Sequence, residues 1–176
     1  MIPNYPWELI ETRVIPTAFL LLQHQRPPLN ERAHGVFGVL FENFQQQAAT
    51  MFPQYIRLAV DGYPALTQPK GFEAALGILV RTLSGFGGAV DLAPLEWIAA
   101  QLRRRCDELI PVAKAADGET ATMQMVSTLF GVYATLLLKV ELPALPLIRS
   151  AVEGWLQTTA NSGLTNQLLF TVSVDH

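Results

Sequence analysis

The side chain best suited to nucleophilic chemistry is the chain's single thiol, Cys106. A cysteine becomes a nucleophile when a neighbouring histidine takes its proton, and the histidines all lie far from it in sequence: His24, His34 and His176. Cys106 follows Leu102 by four residues, a helical spacing that places it on an apolar face. We therefore predict that Cys106 is a buried core residue. One cysteine and no histidine pair at ligand spacing exclude the usual structural zinc sets, so we predict no metal site.

Two other patterns associated with catalysis or cofactors have simpler explanations. The glycine-rich run 85–88 could suggest a phosphate loop, but a P-loop ends in Lys-Ser or Lys-Thr and a dinucleotide fold needs a preceding strand. Here a helical pattern precedes the run. The close carboxylates are Asp107 with Glu108 and Asp117 with Glu119, whereas glycosidase chemistry needs two carboxylates that face each other across a substrate. We predict a helix connector and surface charges, with no catalytic residue, no cofactor and no enzymatic activity.

The only basic run of the sequence is Arg103, Arg104 and Arg105. Three consecutive residues splay over roughly 200° of a helix, so these side chains do not form one phosphate-binding stripe. We expect the stems of Arg103 and Arg105 to flank the core face, and Arg104 to pair with Glu108 one turn later. The net charge of −3 also argues against binding to nucleic acid, which requires an excess of Lys and Arg.

The tryptophans are the side chains best suited to bind a partner protein: Trp7, Trp97 and Trp155. Large amphipathic side chains of this type are enriched at interface hot spots. Trp155 falls on an apolar helical face and is predicted to lie in the core. Trp97, between Glu96 and Ile98, lies at the edge of an apolar stripe and is the candidate contact residue. Because aromatic and Arg side chains enrich interface cores, we predict that Trp97 and Arg103 contact a partner.

The composition indicates a protein with little charge to cover its surface. Half of the 176 residues are hydrophobic and 15% are charged, which is a low charged share for a free-standing domain. Either a large core or an apolar surface reserved for a partner explains this. The length fits one domain over residues 1–176. The lone cysteine and the lack of a basic start followed by an apolar run predict a cytoplasmic protein.

The stretch from Thr120 to Leu138 carries no formal charge and approaches the length that spans a bilayer. Six hydroxyl and amide side chains interrupt it, and no cluster of Lys and Arg flanks it to set an orientation. We predict a central helix buried on most sides and no integral membrane span.

Apolar residues recur at helical spacing on one face of several segments, and no segment of useful length alternates with period 2. The predicted buried faces include Phe37 and Phe41 in one segment, Phe72 in another, and Leu95, Ile98, Ala99, Leu102, Cys106 and Leu109 in a third. Proline and glycine divide the sequence into eight helical segments, approximately 6–24, 29–49, 53–62, 69–84, 93–110, 119–140, 144–159 and 164–172. Their connections are short, which favours antiparallel neighbours. We predict an all-α fold of about eight helices arranged as antiparallel hairpins.

Pairing the segments in order gives four hairpins, and each first helix has a proline in it or at its start: Pro16, Pro53, Pro94 and Pro143. The spacings of 37, 41 and 49 residues lie near the period of HEAT and armadillo repeats. The segment 26–33 resembles the turn and second-helix opening of a HEAT-like repeat, with Arg32 where that family often carries a basic residue. The segment 69–76 is similar more loosely. The resemblance implies a stack of hairpins and specifies no function; an irregular helical bundle is the alternative.

These features lead to a hypothesis of a protein-interaction or scaffold domain that binds another protein, or a second copy, through an exposed apolar helical face or groove. The alternative is a small-molecule binding protein or enzyme with an apolar pocket between helices, lined by Phe37, Phe41 and Tyr133. A third hypothesis is peripheral membrane association through the uncharged segment Val14 to Leu22, which lacks the Lys and Arg expected of an interfacial helix.

Overall fold

The computed structural model describes residues 6–84 and 93–115, and eight separate positions beyond them: 128, 131, 132, 146, 149, 150, 153 and 154. All regular secondary structure in these residues is helical, which confirms the all-α fold. The described ranges contain five helices: α1, continuous through Trp7–Leu9, Ile10–Val14 and Ile15–Leu22; α2, Pro27–Asn43; α3, Gln45–Gly62; α4, Pro69–Ser84; and α5, Ala93–Ala115. The predicted segments 119–140, 144–159 and 164–172 lie outside the described ranges.

Residue contacts divide the chain into two compact units, 1–86 and 87–176. Helices α1 to α4 belong to the first unit and α5 to the second, and each unit is described by itself. The assignment of 1–176 to one domain stays a prediction. None of the helices within the described residues has both the length and the apolar character needed to cross a bilayer. The uncharged stretch 120–138 lies largely outside those residues.

The first helix accommodates a proline in its interior by widening. A proline has no N–H to donate, and its ring clashes with the carbonyl four residues earlier. Directly before Pro16, residues Ile10–Val14 form a π-helical turn, a wider turn of the type that relieves such crowding. The hydroxyl of Thr17 donates to the carbonyl of Arg13 at 2.6 Å. The predicted helix over 6–24 is therefore present as one continuous element with a local widening.

The boundary between the second and third helices differs from the prediction. The sequence predicted helices over 29–49 and 53–62, with Pro53 opening the second, but α2 ends at Asn43 and Pro53 lies inside α3. Phe44 breaks the helix with φ −125° and ψ 59°. Its amide still donates to the carbonyl of Leu40 at 2.8 Å, and its ring contacts Trp7 with centroids 5.2 Å apart. The break lies where Phe44 contacts α1. This contact is long-range, and no proline or glycine marks the break in the sequence.

Helices α2 and α4 run parallel and form the most extensive helix contact of the first unit. A Cβ placed on Gly71 would lie 3.3 Å from Cβ of His34, and one placed on Gly38 would lie 3.1 Å from Cδ1 of Ile78. Further along, the hydroxyl of Thr82 donates to the carbonyl of Phe41 at 3.3 Å. Residue numbers rise together on both helices across these contacts, which fixes the parallel direction. The two glycines allow the close approach.

A buried asparagine joins the two inter-helix loops of the first unit. The amide nitrogen of Asn30 donates to the carbonyl of Leu22 at 2.6 Å, and its amide oxygen accepts from the backbone N–H of Gln68 at 3.2 Å. Asn30 is fully buried, so both of these bonds are shielded from water. One side chain thus ties the α1–α2 connection to the α3–α4 connection.

The core of the first unit is an aromatic cluster contributed by three helices. Phe37 and Phe41 of α2, Tyr55 of α3 and Phe72 of α4 are all fully buried. Ring centroids are 4.8 Å apart for Phe37 and Tyr55, and 5.2 Å apart for Phe41 and Tyr55. The predicted apolar stripes of α2 and α4 therefore face one common core, to which α3 contributes Tyr55.

The described part of the second unit contains one long helix, and its predicted apolar stripe is confirmed. Six side chains of that stripe are buried: Leu95, Ile98, Ala99, Leu102, Cys106 and Leu109. The helix continues to Ala115, past its predicted end at residue 110, and contains Pro111. The sequence pattern found the buried face correctly and placed the end of the helix one turn too early.

Candidate functional site

The first unusual group in the structure is a histidine that is fully buried beside the aromatic cluster. Nδ1 of His34 lies 2.8 Å from the hydroxyl of Tyr55, and its ring lies edge-on to Tyr55 and tilted against Phe72. Burial lowers the pKa of His34 to about 4 and raises that of Tyr55. The pair is therefore neutral at physiological pH. Among the described residues, Nε2 of His34 has no hydrogen-bond partner.

A groove of about 300 Å³ runs along the outer side of the α2–α4 contact. Glycines from both helices contribute to its lining, Gly35 and Gly38 from α2 and Gly71 from α4. Val39 and Ile78 add aliphatic surface. Gly35 differs from the other two because a Cβ placed on it would have no heavy atom within 4 Å. Packing within the described residues therefore does not explain why position 35 has no side chain.

Charged side chains of opposite sign flank this groove on its two helices. Glu31 and Glu42 lie on α2, and Lys70 lies on α4. A second depression of about 190 Å³ continues from Glu42 and is lined by Arg81 of α4. All four side chains are exposed. Within the described part of the chain, none of the four forms an ion pair or a side-chain hydrogen bond.

Among the described residues, exposed apolar side chains are concentrated on the first helix. The large hydrophobic residues with substantial exposure in these ranges are Leu9, Val14 and Leu20 of α1 and Val39 of α2. Leu20 is the most exposed, at 70%. It lies in the charge-free segment Val14 to Leu22. The sequence analysis named Trp97 for partner contact, and it named the segment Val14 to Leu22, which contains Leu20, only for peripheral membrane association.

The predicted contact residues Trp97 and Arg103 lie on α5, and both are half-buried. Arg103 lies six positions after Trp97 on the helix, so the two side chains point about 120° apart. Arg104, two turns after Trp97, lies on nearly the same face as the indole. Nε of Arg103 lies 3.7 Å from a carboxylate oxygen of Asp107. Partner contact by Trp97 and Arg103 stays a prediction.

The predicted burial of Cys106 is confirmed, and its environment opposes nucleophilic chemistry. The side chain is fully buried, and burial together with the neighbouring charge of Asp107 raises the thiol pKa to about 12. A thiol with that pKa carries almost no thiolate at neutral pH. The predicted pairing of Arg104 with Glu108 is also confirmed, with Nη1 2.5 Å from Oε1. Hydrogen bonds from Arg105 and Arg104 lower the pKa of Glu108.

Two of the three residues named for an apolar pocket, Phe37 and Phe41, do not line the groove. Phe37 and Phe41 are fully buried in the aromatic cluster, and Tyr133 lies outside the described residues. The small-molecule alternative stays a prediction. His34 of the groove wall was considered only as a partner for Cys106 or zinc, and the groove itself was not predicted.

Comparison with known proteins adds no relative: no family model, curated protein or solved structure matches the chain.

Proposed function

We propose that the chain is a protein-interaction module in which stacked helical hairpins present an exposed apolar helical surface to a partner protein. It acts by binding rather than by catalysis. The proposal has two parts, the stacking of the hairpins and the surface they expose, and different contacts support each.

The packing of the second helices supports the stack. Helices α2 and α4 are the second helices of the first two predicted hairpins, and their opening prolines lie 42 residues apart. In a stack of hairpins, each repeat packs on the equivalent helices of its neighbour, so the second helices are parallel and adjacent. In an up-and-down four-helix bundle, the second and fourth helices are also parallel but lie on a diagonal. The close parallel contact of α2 with α4 therefore favours a stack of the HEAT-like type.

The observation that carries the binding proposal is the exposed apolar surface of α1. Leu20 leaves 70% of its surface in water, and Leu9 leaves 44%. Removing apolar surface from water contributes about 25 cal/mol per Å², and the part that exceeds the entropic cost of association stabilises a complex. Side chains exposed to this degree contribute little to the fold of the free chain, whereas a partner that covers them gains that free energy.

A substitution on α1 tests the binding proposal. We expect Leu20→Gln to leave the thermal unfolding midpoint almost unchanged, because the side chain is already solvated. Proteins captured from native lysate by the full tagged chain and quantified by mass spectrometry should be depleted with Leu20→Gln. The matched control Gln25→Ala, an exposed residue of the following loop, should retain them. Equal capture by all three proteins would show that α1 does not bind a partner.

The residues predicted on α5 are tested in the same assay. If Trp97 contacts the partner, Trp97→Ala should weaken the complex by more than about 1 kcal/mol without unfolding the chain. Loss of helical circular dichroism at unchanged partner affinity would assign the indole to packing instead.

A further inference from the structure

We infer that the groove between α2 and α4 is a self-association surface that binds the same groove of a second copy of this chain. The inference rests on the proposed interaction function and names the partner for one surface. Three features of the groove carry it: the spacing of its flanking charges, their lack of partners among the described residues, and the open position at Gly35.

The flanking charges have the same spacing on both helices. Glu31 and Glu42 are 11 residues apart on α2, and Lys70 and Arg81 are 11 residues apart on α4. Eleven residues make about three turns, so each pair lies on one face of its helix about 16 Å apart. One side of the groove is therefore negative at two points, and the other side is positive at two points.

The charges of the two helices also lie at matching positions along the groove. Cγ of Glu31 lies 3.3 Å from the point that a Cβ on Gly71 would occupy, next to Lys70. Glu42 and Arg81 line the same depression at the other end. Each end of the groove thus carries one exposed carboxylate and one exposed cation. Among the described residues, these side chains do not pair with each other or with any third residue.

A two-fold axis parallel to the two helices makes this pattern self-complementary. It places α2 of each copy over α4 of the other, at the same level along the groove. Glu31 then faces Lys70 of the second copy, Glu42 faces Arg81, and both contacts occur twice because the interface is isologous. A two-fold axis perpendicular to the helices in the interface plane would instead bring like charges together, which opposes association. The charge pattern therefore selects one docking geometry.

The lining of the groove suits close approach of a second backbone. Gly35 is exposed and carries no side chain there, and glycine is the residue that permits such an approach. Val39, 42% exposed, supplies apolar surface that the second copy covers. Two helices about 25 Å long and 9 Å apart present roughly 500 Å² per copy. The total of about 1,000 Å² lies at the lower limit of specific interfaces, so we expect a reversible, concentration-dependent dimer.

Reversing the charges on one helix at a time tests the geometry. Sedimentation velocity on the full chain should show a monomer–dimer equilibrium that weakens as salt rises from about 0.05 M to about 0.5 M, because salt screens exposed pairs. The double variant Glu31→Lys with Glu42→Lys should bind itself more than about tenfold more weakly, since like charges then face each other. Lys70→Glu with Arg81→Glu should show the same loss.

An equimolar mixture of these two double variants gives the sharpest result. One variant has cations on both sides of its groove and the other has carboxylates on both sides, so the mixture should form a heterodimer with about the wild-type affinity. Matched controls reverse exposed charges outside the groove: Glu8→Lys with Glu11→Lys, and Arg13→Glu with Arg57→Glu. These should dimerise as the wild type does.

Three outcomes overturn the inference: a wild-type chain that is monomeric at every concentration, a dimer that both groove variants leave intact, or a mixture that fails to restore association. A dimer that is insensitive to the groove charges but lost with Leu20→Gln would reject the groove and retain the proposed function of α1. Circular dichroism of each variant confirms that it is folded.

Discussion

The two faces of α2 differ in what their residues do. The inner face carries Phe37 and Phe41, which are fully buried and in contact with Tyr55. The outer face carries Gly35 and Val39, one with open space where a side chain would be and the other 42% exposed. Because both faces belong to the same helix, the difference in their burial does not arise from helix propensity. It arises from what packs against each face.

Residues on the inner face of α2 stabilise the fold, whereas residues on its outer face are left available for binding. On the inner face, packing alone explains the residue types, because large rings fill the space between three helices. On the outer face, a glycine in mid-helix costs up to about 1 kcal/mol relative to alanine, and no contact with another described residue at that position offsets the cost. His34 lies between the two, bonded to Tyr55 on one side of its ring and part of the groove lining.

The largest expected effect comes from truncating the inner face. Phe37→Ala should lower the free energy of unfolding by about 3–5 kcal/mol, the usual cost of a large-to-small change at a fully buried ring. Val39→Ala, two residues later on the outer face, should cost less than about 0.5 kcal/mol. Urea unfolding of both variants measures the two values. Similar losses would remove the distinction between the faces.

The next effect is the pH dependence that arises from His34. Its pKa is lowered to about 4 in the folded chain from an ordinary value of 6.5, so the unfolded chain takes up the proton first as pH falls. The free energy of unfolding should be fully retained above about pH 6.5 and should fall by about 3 kcal/mol between pH 6.5 and 4. Below about pH 4 this group adds no further loss.

Substitutions separate this contribution from the rest of the acid titration. His34→Asn should be less stable at pH 7 and should lose most of the pH dependence between pH 6.5 and 4. The exposed Gln25 is the control, and Gln25→Ala should keep the wild-type slope. Identical slopes in all three proteins would mean that His34 titrates normally in the fold.

The smallest effect concerns the open glycine. Gly35→Ala should raise the free energy of unfolding by about 0.5–1 kcal/mol, because alanine is the better helix former and a Cβ meets no atom there. Gly38→Ala is the matched comparison, since its Cβ would lie 3.1 Å from Cδ1 of Ile78 and should give less benefit or a loss. A stabilisation at position 38 as large as at 35 would contradict the close α2–α4 contact.

Much of the buried core could be predicted from the sequence. Phe37, Phe41, Phe72 and Cys106 were assigned to buried faces by helical spacing alone, because a stripe that repeats every 3.6 residues has few other places to pack. The prolines and glycines also marked most helix ends correctly. The boundary at Phe44 could not be predicted because it coincides with a contact to Trp7, 37 residues away, that leaves no local signal.

The groove was harder to predict, for a physical reason. It depends on the register of α2 against α4, and no pattern within one helix sets that register. The signals available were the spacing of Gly35 and Gly38 within one amphipathic helix and the repeated 11-residue spacing of charges, Glu31 with Glu42 and Lys70 with Arg81. Each is unremarkable alone. They indicate a groove only when the fold places Gly71 beside Glu31.

The central claim is that the outer face of α2 serves binding and not the fold, and Gly35→Leu tests it most directly. The substitution places a large side chain where the structure has open space and where the second copy is expected to approach. The free energy of unfolding and the dimer dissociation constant are measured on the same sample. We predict unchanged or higher stability, from the gain in helix propensity, with at least about tenfold weaker self-association. A chain that is destabilised while its dimer remains as tight as the wild type would contradict the account.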